Sequence, residues 1–215
     1  MPNFKLLVTN DWERARAKTL YSKEPETIAW IDGFSEIKGV FWDIGANIGL
    51  YSLYCASNYP DMVIHSFEPH KANFLRLWQN ILNNDYINIT AYYAVFGREH
   101  KTACFDGGNP AIGSSGGQAG ASGYPISMIT GDWLAKRSDA VPNYIKIDTD
   151  GNEYDIIKGM GAILSDDRLR SVLVEVNNHE LEIIGIMDAA GLLIDEKLMT
   201  RKNRESDHNI IFTRS

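Results

Sequence analysis

Lys146 and Asp148 stand two residues apart in the stretch NYIKIDTDGNEYDIIKGM. If Tyr144–Ile147 forms a strand, both side chains face one side of it, and Asp148 falls at its carboxyl end, where open α/β sheets collect their ligands. An aspartate there can orient a substrate hydroxyl or take its proton, which makes Asp148 the first candidate base. Lys146 is an anomaly inside a strand, because an ammonium group is seldom buried without a partner. Glu175, in SVLVEVNNH on the next strand, is the expected partner, and the pair is either a structural ion pair or part of a catalytic set with Lys146. Asn177, Asn178 and His179 follow where that strand gives way to a helix; one of them caps the helix, and His179 is the second candidate base. A divalent ion would instead need oxygen ligands at two adjacent strand ends. Asp148, Glu175 and Asn177 form such a set, but metal is the less favoured route, since Glu175 cannot both pair with Lys146 and coordinate freely. Asp150 and Glu153 have the spacing of a D-x-x-E capping box.

A second group lies in VFWDIGANIGLYSL, Val40 to Leu53, where a buried strand ends in Asp43 and passes through Gly45, Ala46, Asn47 and Gly49 into a helix. Glycine in such a turn lets a ligand approach bare backbone, and the N–H groups of the turn and helix start could receive a carboxylate or phosphate. The spacing is GxxxG with Asn47 inside it, an incomplete match to the GxGxxG fingerprint of hydride-transfer enzymes. Glu68, in SFEPHKAN, closes the following strand. There a carboxylate can accept hydrogen bonds from both hydroxyls of a ribose; its other reading is an acid at a helix start, ahead of Pro69 as the first helical residue. The glycine turn before it favours the ribose. Asp43 would repel a pyrophosphate and welcome an ammonium and a sulfonium. S-adenosylmethionine carries both, and a ribose for Glu68.

In these blocks the chain resembles class I S-adenosylmethionine-dependent methyltransferases, and within them the FkbM family. The similarity runs from about Glu24 to the C-terminus through KEPETIAWIDGF, VFWDIGANIGLYSLYCA, SFEPHKANF, NYIKIDTDGNEYDIIKGM, VLVEVN and NIIFTR. The resemblance implies a Rossmann-like sandwich whose mostly parallel seven-stranded sheet ends in an antiparallel strand. It also implies O-methylation of a hydroxyl on a sugar, lipid or other small molecule. In that family Asp43, Gly45 and Asn47 would hold the methionine part of the cofactor and Glu68 its ribose. An NAD-dependent oxidoreductase and a catalytically inactive cofactor-binding module are the rival readings.

Positioning these residues takes an α/β scaffold. Runs rich in Val, Ile, Phe and Tyr at 40–44, 63–67, 87–96, 144–147, 172–176, 192–194 and 210–212 read as strands. Helical spacing places Phe74, Leu77, Trp78, Ile81 and Leu82 on one face, and likewise Ile156, Ile157, Met160, Ile163 and Leu164, then Ile183, Ile184, Met187 and Ala190. Alternating strands and helices mean parallel strands joined by right-handed crossovers. Only the polar loop Met199 to Asp207 separates the last two strands, which should therefore pair antiparallel. Residues 1–39 read as a helical cap and 40–215 as the methyltransferase domain. The stretch 107–125, GGNPAIGSSGGQAGASGYP, is either a flexible insertion or a loop that gates the substrate.

The composition is that of a soluble globular domain, with 44% hydrophobic and 23% charged residues. Its 21 basic and 28 acidic side chains leave a net charge of −7, which opposes nucleic acid and anionic bilayers as partners; the acceptor that the family resemblance implies is a small molecule or glycan. Cys55 and Cys104 form no CxxC or Cys/His cluster, so neither a disulfide scaffold nor a zinc site is indicated and a reducing cytoplasm fits. No apolar run has the length of a membrane span.

Overall fold

The computed structural model describes residues 3–36, 38–138, 141–198 and 208–214. In chain order its elements are α1 (Asp11–Thr19), α2 (Pro25–Asp32), β1 (Val40–Ile44), α3 (Leu50–Asn58), β2 (Val63–Phe67), α4 (Lys71–Asn83), β3 (Ile89–Tyr92) and β4 (Val95–Phe96). They continue with β5 (Lys101–Asp106), β6 (Gln118–Gly120), β7 (Tyr124–Ile129), α5 (Gly131–Ser138), β8 (Tyr144–Ile147), α6 (Glu153–Lys158), α7 (Gly161–Leu164), β9 (Ser171–Val176), α8 (Glu180–Ala189), β10 (Leu192–Ile194) and β11 (His208–Arg214). Seven strands form one sheet in the order β10-β11-β9-β8-β1-β2-β3. β1 pairs in parallel with β2 and β8, whereas β11 runs antiparallel to both β9 and β10. The terminal hairpin expected from the sequence is present; its connecting loop, Met199 to Asp207, lies outside the described residues.

Helices cover both faces of this sheet. Period-two alternation sends Trp42, Ile44, Ile145, Ile147, Val172 and Val174 toward α6, α7 and α8, and Phe41, Tyr144 and Leu173 toward α2 and α3. Each of these side chains is almost wholly removed from water, a gain of roughly 1.5–3 kcal/mol for a large apolar residue. α2 is part of this core: Pro25 opens the helix, Trp30 and Ile31 are buried against the sheet, and the Trp30 indole donates to Ser171 Oγ at 2.9 Å.

A second, four-stranded sheet, β4-β7-β5-β6, was not visible in the sequence. The run 87–96 is two strands in two sheets, because the chain leaves the main sheet after Tyr92 and pairs Val95 and Phe96 with Met128 and Ile129. β5 and β7 form a hairpin whose connection is the glycine-rich stretch, with β6 inside it pairing Cys104, Phe105 and Asp106. Val95, Phe105 and Ile126 form its small cluster of buried hydrophobics, while Phe96 and Ile129 join the core of the main sheet, so its periodic signal is faint.

α4 also departs from its expected stripe. Leu77 and Ile81 are buried, but Trp78 and Leu82 are exposed, and the buried face includes Asn73, Arg76 and Asn80. These polar side chains serve backbone that has no strand to pair with. Asn80 Oδ1 accepts from Leu7 N and its Nδ2 donates to Ile48 O; Arg76 donates to Leu7 O; Asn73 receives Gly113 N and donates to Ser114 O. Arg76 also forms a buried ion pair with Glu13, which closes the capping box of α1 on Asn10. Helix α1 is thereby fastened to α4. Replacing Arg76 with Met should leave Glu13 buried without its counter-charge and cost about 3–5 kcal/mol in urea unfolding; an unchanged midpoint would show that the pair does not anchor α1.

Candidate active site

The alternation that packs the sheet also gathers its charges. Asp43 and Lys146 are register partners on β1 and β8, and both point to the α2–α3 face, as do Asp148 just past β8 and Glu175 on β9. Lys146 is 1% exposed, and its Nζ donates to Asp148 Oδ2 at 2.6 Å while lying 4.9 Å from the centre of the Tyr51 ring. Burial pushes the Lys146 ammonium toward neutrality, but Asp148, Asp43 and Glu24 outweigh it and hold it above the usual lysine range. The partner expected for Lys146 was Glu175. Asp148 takes that place instead, because two residues along a strand bring it back to the same face.

Glu175 is engaged with Asp148. Burial, then the neighbouring Asp148 charge and their hydrogen bond, push the Glu175 carboxyl up to about 9. Burial acts upward on Asp148 too, but the Lys146 ammonium and its hydrogen bond win and hold Asp148 below its ordinary value. At neutral pH Glu175 therefore carries the proton and donates it to an ionised Asp148. A third carboxylate, unforeseen in the sequence, completes the group. Glu24, the residue before α2, receives Tyr51 Oη at 2.8 Å and Lys23 Nζ at 2.6 Å. Oxygens of Glu24, Asp148 and Glu175 lie within 4.8 Å of one another, a spacing that suits a divalent ion, but Lys146 and Lys23 already supply positive charge among them. Asn177 is half-buried at the end of β9.

Lys146, Glu24 and Tyr51 line a small recess, and beside it Asp148, Glu175 and Lys23 line a cleft of about 250 Å³ at the carboxyl ends of β1, β2 and β8. Glu68 forms its far side: Oε2 accepts from Asn47 N at 2.7 Å and Oε1 from His70 N at 2.8 Å, leaving each oxygen a lone pair toward the cleft. Burial, set against these two hydrogen bonds, pushes Glu68 up to about 7. It does not cap α4. His70 does, and Pro69 precedes the cap instead of opening the helix. Asp43 lies elsewhere: it is wholly buried under α3, where Oδ2 accepts from Ser52 at 2.6 Å and Oδ1 has no partner among the described residues. Burial pushes its carboxyl up against the pull of Lys146. Among the described residues, those lining the cleft include Gly45, Asn47, Asp148 and Glu175 but neither Asp43 nor His179. The His179 side chain is 53% exposed, stacks 4.7 Å from Tyr154 and pairs with Glu182 at 3.2 Å.

The glycine turn differs from expectation as well. Gly45 is required by the fold, since a Cβ there would lie 1.8 Å from the Asp148 carbonyl oxygen, and one at Gly49 would lie 2.5 Å from Leu77. The N–H groups of the turn are spoken for: Gly45 and Ala46 donate to Phe67 O, Asn47 to Glu68, Ile48 to Asn47 Oδ1 and Gly49 to Ala46 O. Across the cleft the glycine-rich stretch is tied down. Ser114 O receives Asn47 Nδ2 and Asn73 Nδ2, Ile112 O receives Asn10 Nδ2, and Gly116 N donates to Asp150. Asp150 has left-handed backbone and so makes no capping box; Glu153 turns back to Thr149 and Gly151, and Asn152 precedes α6.

The cleft joins the Glu68 carboxylate, apolar walls from Phe67, Ala94 and Val95, and the carboxyl groups of Asp148 and Glu175. The model of the FkbM methyltransferase domain matches residues 43–198. A hexuronic acid methyltransferase, AglP of Haloferax volcanii, is 27% identical over 179 residues, covering 80% of this chain and 70% of that protein. In fold the chain is similar to the magnesium protoporphyrin IX methyltransferase ChlM of Synechocystis PCC 6803, solved with bound SAM (TM-score 0.57, 11% identity, 97% of this chain and 86% of that one). It is also similar to a precorrin-6y C5,15-methyltransferase of Geobacter metallireducens (TM-score 0.55, 13% identity, 92% of each chain). A match over most of the chain, on this sheet order and around this cleft, places the protein in the FkbM family of S-adenosylmethionine-dependent methyltransferases.

Proposed function

We propose that the protein methylates a hydroxyl of a sugar or another small-molecule acceptor. The observation that carries this reading is the Asp148 carboxylate lining the cleft, held by Lys146 Nζ at 2.6 Å with the Glu175 carboxyl beside it. S-adenosylmethionine supplies an electrophilic methyl on a sulfonium. Its ribose would be held by Glu68, and the acids at the other end of the cleft favour a cationic tail. Asp148, 25% exposed, receives the acceptor hydroxyl and orients its oxygen, while Lys146 fixes the Asp148 rotamer from behind. The hydroxyl proton passes to the carboxylate pair, which takes it most readily once Glu175 has lost its own. The cross-cleft ties from Ser114 and Gly116 hold the glycine-rich stretch over the reacting groups and exclude water. A sugar is the preferred acceptor because the curated relative acts on a hexuronic acid.

Labelled methyl transfer to a panel of hexuronic acids, neutral hexoses and amines tests the acceptor class. Transfer to a sugar hydroxyl is expected, and transfer to amines alone would contradict it. With a good acceptor, kcat/KM should rise with pH toward about 9 as Glu175 deprotonates, and Glu175→Gln should lose that rise. A profile unchanged in the variant would remove Glu175 from the proton's path. Cofactor affinity has its own pH dependence. Glu68 must be ionised to accept from both hydroxyls, so binding of S-adenosylhomocysteine should strengthen through pH 7 and level off above it. Glu68→Gln should flatten the curve and weaken binding by about 1–3 kcal/mol; retained affinity by calorimetry would return Glu68 to a structural role.

A further inference from the structure

Among the described residues, three permanently cationic side chains border the small recess beside the cleft, and two are already matched. Lys146 holds Asp148 and Lys23 holds Glu24, each at 2.6 Å. Arg16 is different. It projects from α1, is half-buried, and uses Nε to donate to Gly113 O at 2.5 Å, while no carboxylate of the described residues forms an ion pair with it. Both ends of its guanidinium fork remain for a ligand. Arg16 lines the cleft, where its charge also acts on Glu68, and borders the small recess beside it with Gly45, Ala46, Tyr51 and Lys146.

A donor lying with its ribose on Glu68 must lead its amino-acid tail past Gly45 and Asn47 into this recess. That tail carries a carboxylate, and the local acids Glu24, Asp148 and Glu175 repel it. The backbone N–H groups of the turn from Gly45 to Gly49, which could otherwise receive an anion, are committed within the protein. We propose that Arg16 binds the carboxylate of the donor's amino-acid tail, so that α1, fastened through Glu13 and Arg76, forms one wall of the cofactor site. The inference rests on S-adenosylmethionine being the donor. It gives α1 a specificity role: the site discriminates the full cofactor from nucleosides that lack the amino acid.

Calorimetry on the full chain with two probes tests this. S-adenosylhomocysteine carries the carboxylate; methylthioadenosine has the same adenosine and thioether without it. Arg16→Ala should weaken S-adenosylhomocysteine binding about 10- to 100-fold, the range of a charged hydrogen-bonded pair, and leave methylthioadenosine within about twofold. Equal losses for both probes would overturn the proposal and reduce Arg16 to a support for Gly113. Unchanged S-adenosylhomocysteine binding with a raised KM for an acidic sugar would overturn it as well, assigning Arg16 to the acceptor's carboxylate. A wild-type protein that binds neither probe would overturn the cofactor reading itself.

Discussion

An ammonium group on the inner face of a parallel sheet is the constraint around which this structure is arranged. Lys146 sits mid-sheet with strands on both sides and helices above it, so water cannot solvate it. A lone charge in that position would cost several kcal/mol. The fold answers with acids on the same face: Asp43 in register on β1, Asp148 at the end of its own strand, and Glu24 from the start of α2. Of these, Asp148 alone combines a direct bond to Lys146 with partial exposure to the cleft. The same charge that satisfies a buried lysine thus presents a fixed, ionised carboxylate where open α/β sheets bind their ligands.

The excess of acid over base in this group explains its unequal protonation. Glu175 is close enough to Asp148 for repulsion to matter, and Lys146 bonds directly to Asp148, so the proton settles on Glu175. Glu68, separated from this cluster by the glycine turn, is tuned differently: two backbone donors partly offset its burial and leave it near the point of half-ionisation at neutral pH. One cleft therefore holds an acid that stays ionised, one that stays protonated and one in between.

Much of this was legible because strands and charges obey simple periods. The spacing of Lys146 and Asp148 placed them on one face, and the hydrophobic runs gave the strands of the main sheet and its antiparallel ending. What stayed hidden depends on contacts between distant segments. Arg16 reaches the cleft from α1 and Glu24 reaches the recess beside it from just before α2, and only the packing of these two helices reveals them. Asp43 was legible as an acid at a strand end but not as a buried one, since the same alternation that turns Lys146 inward turns Asp43 under α3. The second sheet escaped because its strands are short and three of them lie around a glycine- and serine-rich stretch that carries no hydrophobic period. The expected stripe of α4 failed for the opposite reason: its asparagines and Arg76 are buried to serve unpaired backbone, so polarity there marks burial and the exposed Trp78 marks the surface.

The central claim is that the cleft between Glu68 and the Asp148–Glu175 pair is where the methyl donor lies. A crystal structure with S-adenosylhomocysteine measures this directly. The account predicts both ribose hydroxyls on the Glu68 carboxylate and the sulfur directed toward Asp148. The nucleoside found outside this cleft, or seated in it with no contact between its ribose and Glu68, would contradict it.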